Sequence, residues 1–258
     1  MTIPRGLGCV EFAVPGRDPE EKLEALETNG MWLELVNDES GEHLSHVLDV
    51  LPSFRTPVKS VQAYLLHDLR MLGLAEESRA ATRHVEDTIK IASKLGAENV
   101  VTVATYGEPE TENPRASCIE LFRRFGKLGM EYGITISIEA LNRKRTTFLP
   151  SLHEISVLAE EVGMENVRPM ADTFHVHENG EDVVKTIGGW AGKISELHLR
   201  DTGSRAPGRG KMDFASLLRA IKGKFRGLMC LEYEPGPDPH AEFSHTLNFL
   251  SDIISGAR

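Results

Sequence analysis

Cysteine is scarce in this chain of 258 residues: Cys9, Cys118 and Cys230 are odd in number and far apart. With no CxxC pair, neither a thiolate zinc site nor a disulfide framework is expected, and the three read as reduced, buried thiols of a cytoplasmic protein. No apolar stretch approaches the length of a membrane span. The N-terminal "MTIPRGLGCVEF" lacks the basic region and long apolar run of a secretory signal. Positive charge is also short. Lys and Arg number 29 against 39 Asp and Glu, a net charge of −10, which repels phosphate backbones and argues against nucleic acid as a partner. No Pro/Ser/Gly-rich linker divides the sequence, so residues 1–258 are expected to form a single domain with room for a sizeable core. An open doubly wound sheet is the structural alternative, but no GxGxxG follows the first strand candidate to support it, and "RAPGRGK" fails the GxxxxGK[ST] pattern, so that loop receives no nucleotide role.

What is present is an alternation of short apolar runs and amphipathic stretches. Strand candidates are "GCVEFAV" (8–14), "WLELV" (32–36), "VKSVQAY" (58–64), "NVVTVAT" (99–105), "ITISIEA" (134–140), "VRPMAD" (167–172), "KISELHL" (193–199) and "LMCLEY" (228–233). They are short and often apolar on both faces, as buried parallel strands are. Helical patterns such as "AATRHVEDTIKIASKLG" and "RASCIELFRRFGKLGMEYG" lie between them, several ending at Gly, and Asp213 is placed to cap "FASLLRAI". Eight strand–helix units in about 250 residues is the size of a (β/α)₈ TIM barrel. The weakest unit is the sixth, where "ENGEDVVKTIGGW" offers barely three turns.

Barrels of this kind gather chemistry at the C-terminal ends of their strands. Glu139 closes the fifth candidate and Asp172 the sixth, while His198 and Glu232 lie near the ends of the seventh and eighth. Spaced by about one unit each, the four would aim one side chain apiece into the same mouth. Three carboxylates and an imidazole make a hard, oxygen-rich set suited to Mn²⁺, Mg²⁺ or Co²⁺, with Zn²⁺ less favoured.

"IEALNR" (138–143), "ADTFH" (171–175), "HLRDTGSRAPGRG" (198–210) and "CLEYE" (230–234) resemble the sugar phosphate isomerase/epimerase superfamily of xylose isomerase-like TIM barrels. The pattern is similar to tagatose/psicose 3-epimerases and hydroxypyruvate isomerases, over about 135 to 235. The resemblance implies one divalent metal, Mn²⁺ first, held by Glu139, Asp172, His198 and Glu232, with Glu139 and Glu232 as acid and base. It implies that His175, in Asp-x-x-His, hydrogen-bonds substrate, and that Arg205, in Arg-x-Pro-Gly, holds a substrate oxygen or the essential glutamate. One position departs from the ketohexose epimerases: Arg145 stands where they carry a glutamate six residues after the first. A cation there suits a small anionic substrate, a hydroxy-keto acid or a sugar phosphate.

The expected function is therefore a metal-dependent isomerase or epimerase acting on a small ketose, sugar phosphate or hydroxy-keto acid. Two rival classes share the barrel. An endonuclease IV-like nuclease finds a stand-in for one early histidine in His67, but no His ends the fourth strand and no Asp-x-His follows His198. A non-catalytic sugar binder would not need two glutamates. His43, His46, His84, His153 and His245 are expected on outer helix faces, His177 and Glu178 in a polar loop, and Met71, Leu72 and Leu74 in a loop capping the pocket. Glu11 and Glu34, within the first two strands, receive no assignment. Barrels of this family often associate, but no oligomeric state is fixed by the sequence.

Overall fold

The computed structural model describes residues 6–38, 42–64 and 70–256; His67 lies outside them. The eight expected strands are all present: β1 Leu7–Val10, β2 Trp32–Asn37, β3 Val58–Ala63, β4 Asn99–Val103, β5 Thr135–Glu139, β6 Val167–Asp172, β7 Glu196–Leu199 and β8 Leu228–Leu231. They pair in parallel with their sequence neighbours, and β1 pairs with β8, closing a barrel in the order β1 to β8. The helices are α1 Pro19–Thr28, α2 Glu42–Val50, α3 Ala75–Lys94, α4 Pro114–Tyr132, α5 Leu152–Val162, α6 Thr173–Glu178, α7 Val183–Trp190, α8 Phe214–Ile221 and α9 Pro239–Ser255. No helix among the described residues is long and apolar enough to cross a membrane.

Helix boundaries follow local chemistry. Asp18, Asn113, Ser151, Asp182, Asp213 and Asp238 each accept a backbone N–H from the first turn of the helix that follows. At the other end Gly133 and Gly163 take left-handed conformations that stop α4 and α5. The amphipathic helices bury one stripe each against the outside of the barrel, and this contact makes the main core. Inside the barrel the apolar filling is small: Val10, Trp32, Leu228 and Cys230 form their own cluster. Gly8 makes room for it, since a Cβ there would lie 2.3 Å from the Trp32 indole. Interior space beside that cluster is polar and buried, with Glu34, Ser60, Asn99, Glu196 and His198 all within 5% of full burial. Inward-facing positions of a barrel of this kind are usually branched and apolar, so this lining points to a site rather than a core.

Three expectations on outer segments change. His84 is buried in α3 instead of on an outer face, because its helix packs Ala81, Val85, Thr88 and Ile89 on the same side. Met71 and Leu72 are buried in the main core and Leu74 is exposed; none of the three lines the barrel mouth. His177 and Glu178 belong to α6 rather than to a loop.

Candidate metal centre and active site

The sequence places Glu139, Asp172, His198 and Glu232 on or just after four successive strands, and the fold brings one ligand atom from each within 4.8 Å of the others. Asp172 and His198 are register partners on β6 and β7, and Val103 pairs with Glu139 on the other side of β5. Asp172, His198 and Glu232 are buried, and Glu139 is largely so. His198 Nδ1 lies 3.0 Å from Glu232 Oε2, while Glu232 Oε1 accepts a bond from Gln62 Nε2 at 3.3 Å.

Asp172 divides its work between its two oxygens. Oδ1 accepts the Phe174 N–H at 2.7 Å and so caps α6. Oδ2 is buried without a well-directed hydrogen bond, although the Arg200 guanidinium stands 2.6 Å away as an ion-pair partner. That contact is Coulombic and poorly aligned for a hydrogen bond. A buried carboxylate oxygen with free lone pairs, beside two more carboxylates and an imidazole nitrogen, is a fitting donor for one hard divalent ion.

Charge crowding is visible in the titration of these groups. Burial, together with the neighbouring Asp172 and Glu34 charges, pushes Glu139 up to about 7, partly opposed by His198 and Arg200. Burial acts against a charged His198, but Glu34, Glu196 and Glu139 outweigh it and raise the imidazole to about 9. Burial drives His175 the other way, down to about 4, so it is neutral at physiological pH.

A pH dependence follows for the metal-free protein. The raised His198 contributes stability that is fully present below its unfolded value near 6.5 and is lost as pH rises through about 9. Glu139, raised to about 7, has already given up its share by then. Urea unfolding in chelator should therefore show a loss of about 2–3 kcal/mol between pH 7 and 9. A flat profile over that window would mean that His198 is not held as an imidazolium.

A mouth cavity of about 400 Å³ opens above the cluster, lined by Glu139, His175, Arg145, Arg200, Glu232 and Tyr106 among others. That volume suits a small molecule. His175, on α6, accepts a bond from Asn142 Nδ2 at Nδ1 (2.8 Å), which leaves its Nε2–H 3.7 Å from Glu139 Oε1. Arg145 is exposed on the loop after β5, and its carbonyl is pinned by the Gly107 N–H at 2.8 Å. Arg205 is exposed and donates to the Arg209 carbonyl within its own loop, outside the residues that line the mouth. That loop folds around buried Asp201, whose carboxylate takes the N–H groups of Thr202, Gly208, Gly210 and Met212. Those four amides are therefore turned inward and spent on Asp201.

Three further side chains reach the cluster: Arg200 and Glu196, which no motif marks, and Glu34, which the sequence leaves unassigned. Arg200 touches Asp172 and Glu232, and its guanidinium lies 5.3 Å from the centre of the Phe174 ring. Strand alternation holds the signal: in "ELHLR" the residues two before and two after His198 share its face. Glu34 Oε2 lies 3.0 Å from His198 Nε2, and Glu196 Oε1 3.9 Å from the same atom. Burial and the Glu34 charge keep Glu196 well above the usual carboxylate range, whereas His198 and hydrogen bonds hold Glu34 below it against burial.

The chain is 25% identical to an L-ribulose 3-epimerase of Mesorhizobium japonicum over 153 residues, 56% of this chain and 52% of that protein. It is 26% identical to the hydroxypyruvate isomerase of Escherichia coli K12 over 160 residues, 58% of this chain and 61% of that one. It thus spans about half the length of the curated relatives it matches. A solved structure of the IOLI protein with a binding zinc atom superposes with a TM-score of 0.80 at 17% identity, covering 97% of this chain and 98% of that one. Over residues 6–253 the sequence matches the xylose isomerase-like TIM barrel family, and the chain belongs to it.

Proposed function

We propose that the chain is a divalent-metal-dependent isomerase or epimerase that moves a proton at the carbon beside a ketone, on a small ketose, sugar phosphate or hydroxy-keto acid. The observation that carries this reading is the ring of Glu139, Asp172, His198 and Glu232 at the floor of a small-molecule cavity. Those four residues would hold the metal, Mn²⁺ in first place because the set is rich in hard oxygen donors. When bound, it supplies Lewis acidity that polarises a carbonyl and stabilises an enediolate.

The rest is the work of the chain. Glu139, in the ligand cluster and on the cavity wall, is placed to take and return the proton. Glu232 approaches from after β8, three strands around the ring from β5, and also faces the cavity. One glutamate removes the α-proton. Return by the other to the opposite face inverts that carbon, which is epimerisation; return to the neighbouring carbon moves the carbonyl, which is isomerisation. His175, neutral and with its Nε2–H toward Glu139, is placed to donate to a substrate oxygen. Arg145 and Arg200 bring two guanidinium groups to the cavity wall, which favours a substrate carrying a carboxylate or phosphate. Arg205 donates to the Arg209 carbonyl within its own loop and acts by shaping it.

The test is exchange of solvent deuterium into a panel of ketoses, sugar phosphates and hydroxy-keto acids with Mn²⁺ present. Exchange into one class, strongest for anionic members, is the expected result; none across the panel from metal-loaded protein would sink the reading. A companion measurement concerns the ligands alone. Mn²⁺ should raise the melting temperature of the wild type, EDTA should reverse it, and Asp172→Asn should abolish most of the shift. An undiminished shift in Asp172→Asn would remove that residue from the ligand set.

A further inference from the structure

The wall behind His198 is polar, and it is built from strands on the far side of the barrel. Glu34 stands in the middle of β2, and its Oε2 is 3.0 Å from His198 Nε2, with both side chains fully buried. Carboxylates can only accept, so in the metal-free protein Nε2 donates to Glu34 and Nδ1 to Glu232 Oε2, also at 3.0 Å. Nδ1 is the nitrogen on the side of Glu232 in the ligand cluster, where a metal would replace its proton and leave Nε2–H on Glu34. Glu196 does not compete for the same role. Its nearer oxygen is 3.9 Å from Nε2, and its Oε2 is taken by Ser60 Oγ and Asn99 Nδ2 at 2.8 and 3.1 Å.

We propose that Glu34 is the positioning residue of the metal centre: it holds His198 with Nε2–H pointing into the barrel and Nδ1 presented to the ligand ring. The proposal rests on the metal reading above. Its physical content is that an imidazole has two interchangeable orientations about its Cβ–Cγ bond, and a fixed acceptor on one side selects one of them. A carboxylate at that place also raises the donor strength of the opposite nitrogen, and loss of such a partner typically costs about 10–100-fold in metal affinity.

The experiment uses Zn²⁺, which is diamagnetic, titrated into metal-free full-length protein by calorimetry, with ¹⁵N-histidine NMR on the same samples. Wild type is expected to bind with the His198 proton on Nε2 and the metal-dependent shift on Nδ1. Glu34→Ala should bind about 10–100-fold more weakly and lose the slowly exchanging Nε2 proton. Glu34→Gln, whose amide oxygen still accepts, should fall between the two. A folded Glu34→Ala protein with wild-type affinity would overturn the proposal. So would a Zn²⁺-bound wild-type spectrum with the proton on Nδ1, which needs no variant to fold. If the wild type bound no Zn²⁺ at all, the metal reading itself would fall and take the proposal with it.

Discussion

Glu139→Gln, saturated with Mn²⁺, is expected to exchange the substrate α-proton about 10²–10⁴-fold more slowly than the wild type. The amide keeps the shape of the carboxyl and can still offer an oxygen to a cation, but it cannot accept and release a proton. The environment explains why this position is suited to the task. In the metal-free protein burial and the nearby Asp172 and Glu34 charges raise the Glu139 carboxyl to about 7, and a divalent ion held beside it would lower it again and keep the base form ready. Glu232→Gln tests the second base. In an epimerase with one base on each face, either variant should still exchange the proton of one epimer without converting it. An isomerase that uses a single base should instead lose exchange with one variant and keep it with the other. Metal content must be measured alongside, because both residues are proposed ligands. Undiminished exchange with both epimers in metal-saturated Glu139→Gln would take Glu139 out of the chemistry.

The barrel was legible because its strands are buried on both sides and read as compact apolar runs, while each helix carries a single apolar stripe. The ends of these elements were less so. The apolar run of the first candidate extends to residue 14, yet β1 stops at Val10 and one 3₁₀ turn, Glu11–Ala13, follows. The seventh candidate starts at 193, but Lys193 is exposed and β7 begins at Glu196. In "MADTFHVHENG" the cluster of polar residues suggested a loop after Asp172. The structure has α6 there, since the same Asp172 that faces the cluster with Oδ2 caps the helix with Oδ1. An aspartate read only as a ligand hides its capping role.

The four strand-end residues were visible from their one-per-unit spacing, which is a property of the chain. Their surroundings were not visible in the same way. Glu34 lies within an apolar strand with no motif around it, and only closure of the barrel brings β2 opposite β7. Arg200 and Glu196 could have been found from the period of two in "ELHLR". Arg205 was reached through the family pattern of its loop, and its guanidinium is turned toward Arg209. The cation that meets the carboxylates is Arg200, five residues earlier.

Arg200→Gln is expected to destabilise the metal-free protein by about 3 kcal/mol, the scale for removing one partner from a buried ion pair. The guanidinium is mostly buried, 12% exposed, and stands against Asp172, which is fully buried, and Glu232, which is 9% exposed. Without it two carboxylates crowd together with no fixed cation between them except His198. A divalent ion would supply that charge, so the deficit should shrink when urea unfolding is repeated with saturating Mn²⁺. Metal affinity should rise at the same time, because the guanidinium no longer competes for Asp172 Oδ2 and Glu232 Oε2. The two effects have opposite signs and one cause, which separates them from a loss of packing. Arg200 also lies over the Phe174 ring, and if that contact were its main role, the deficit would be the same with and without metal and the affinity would not change.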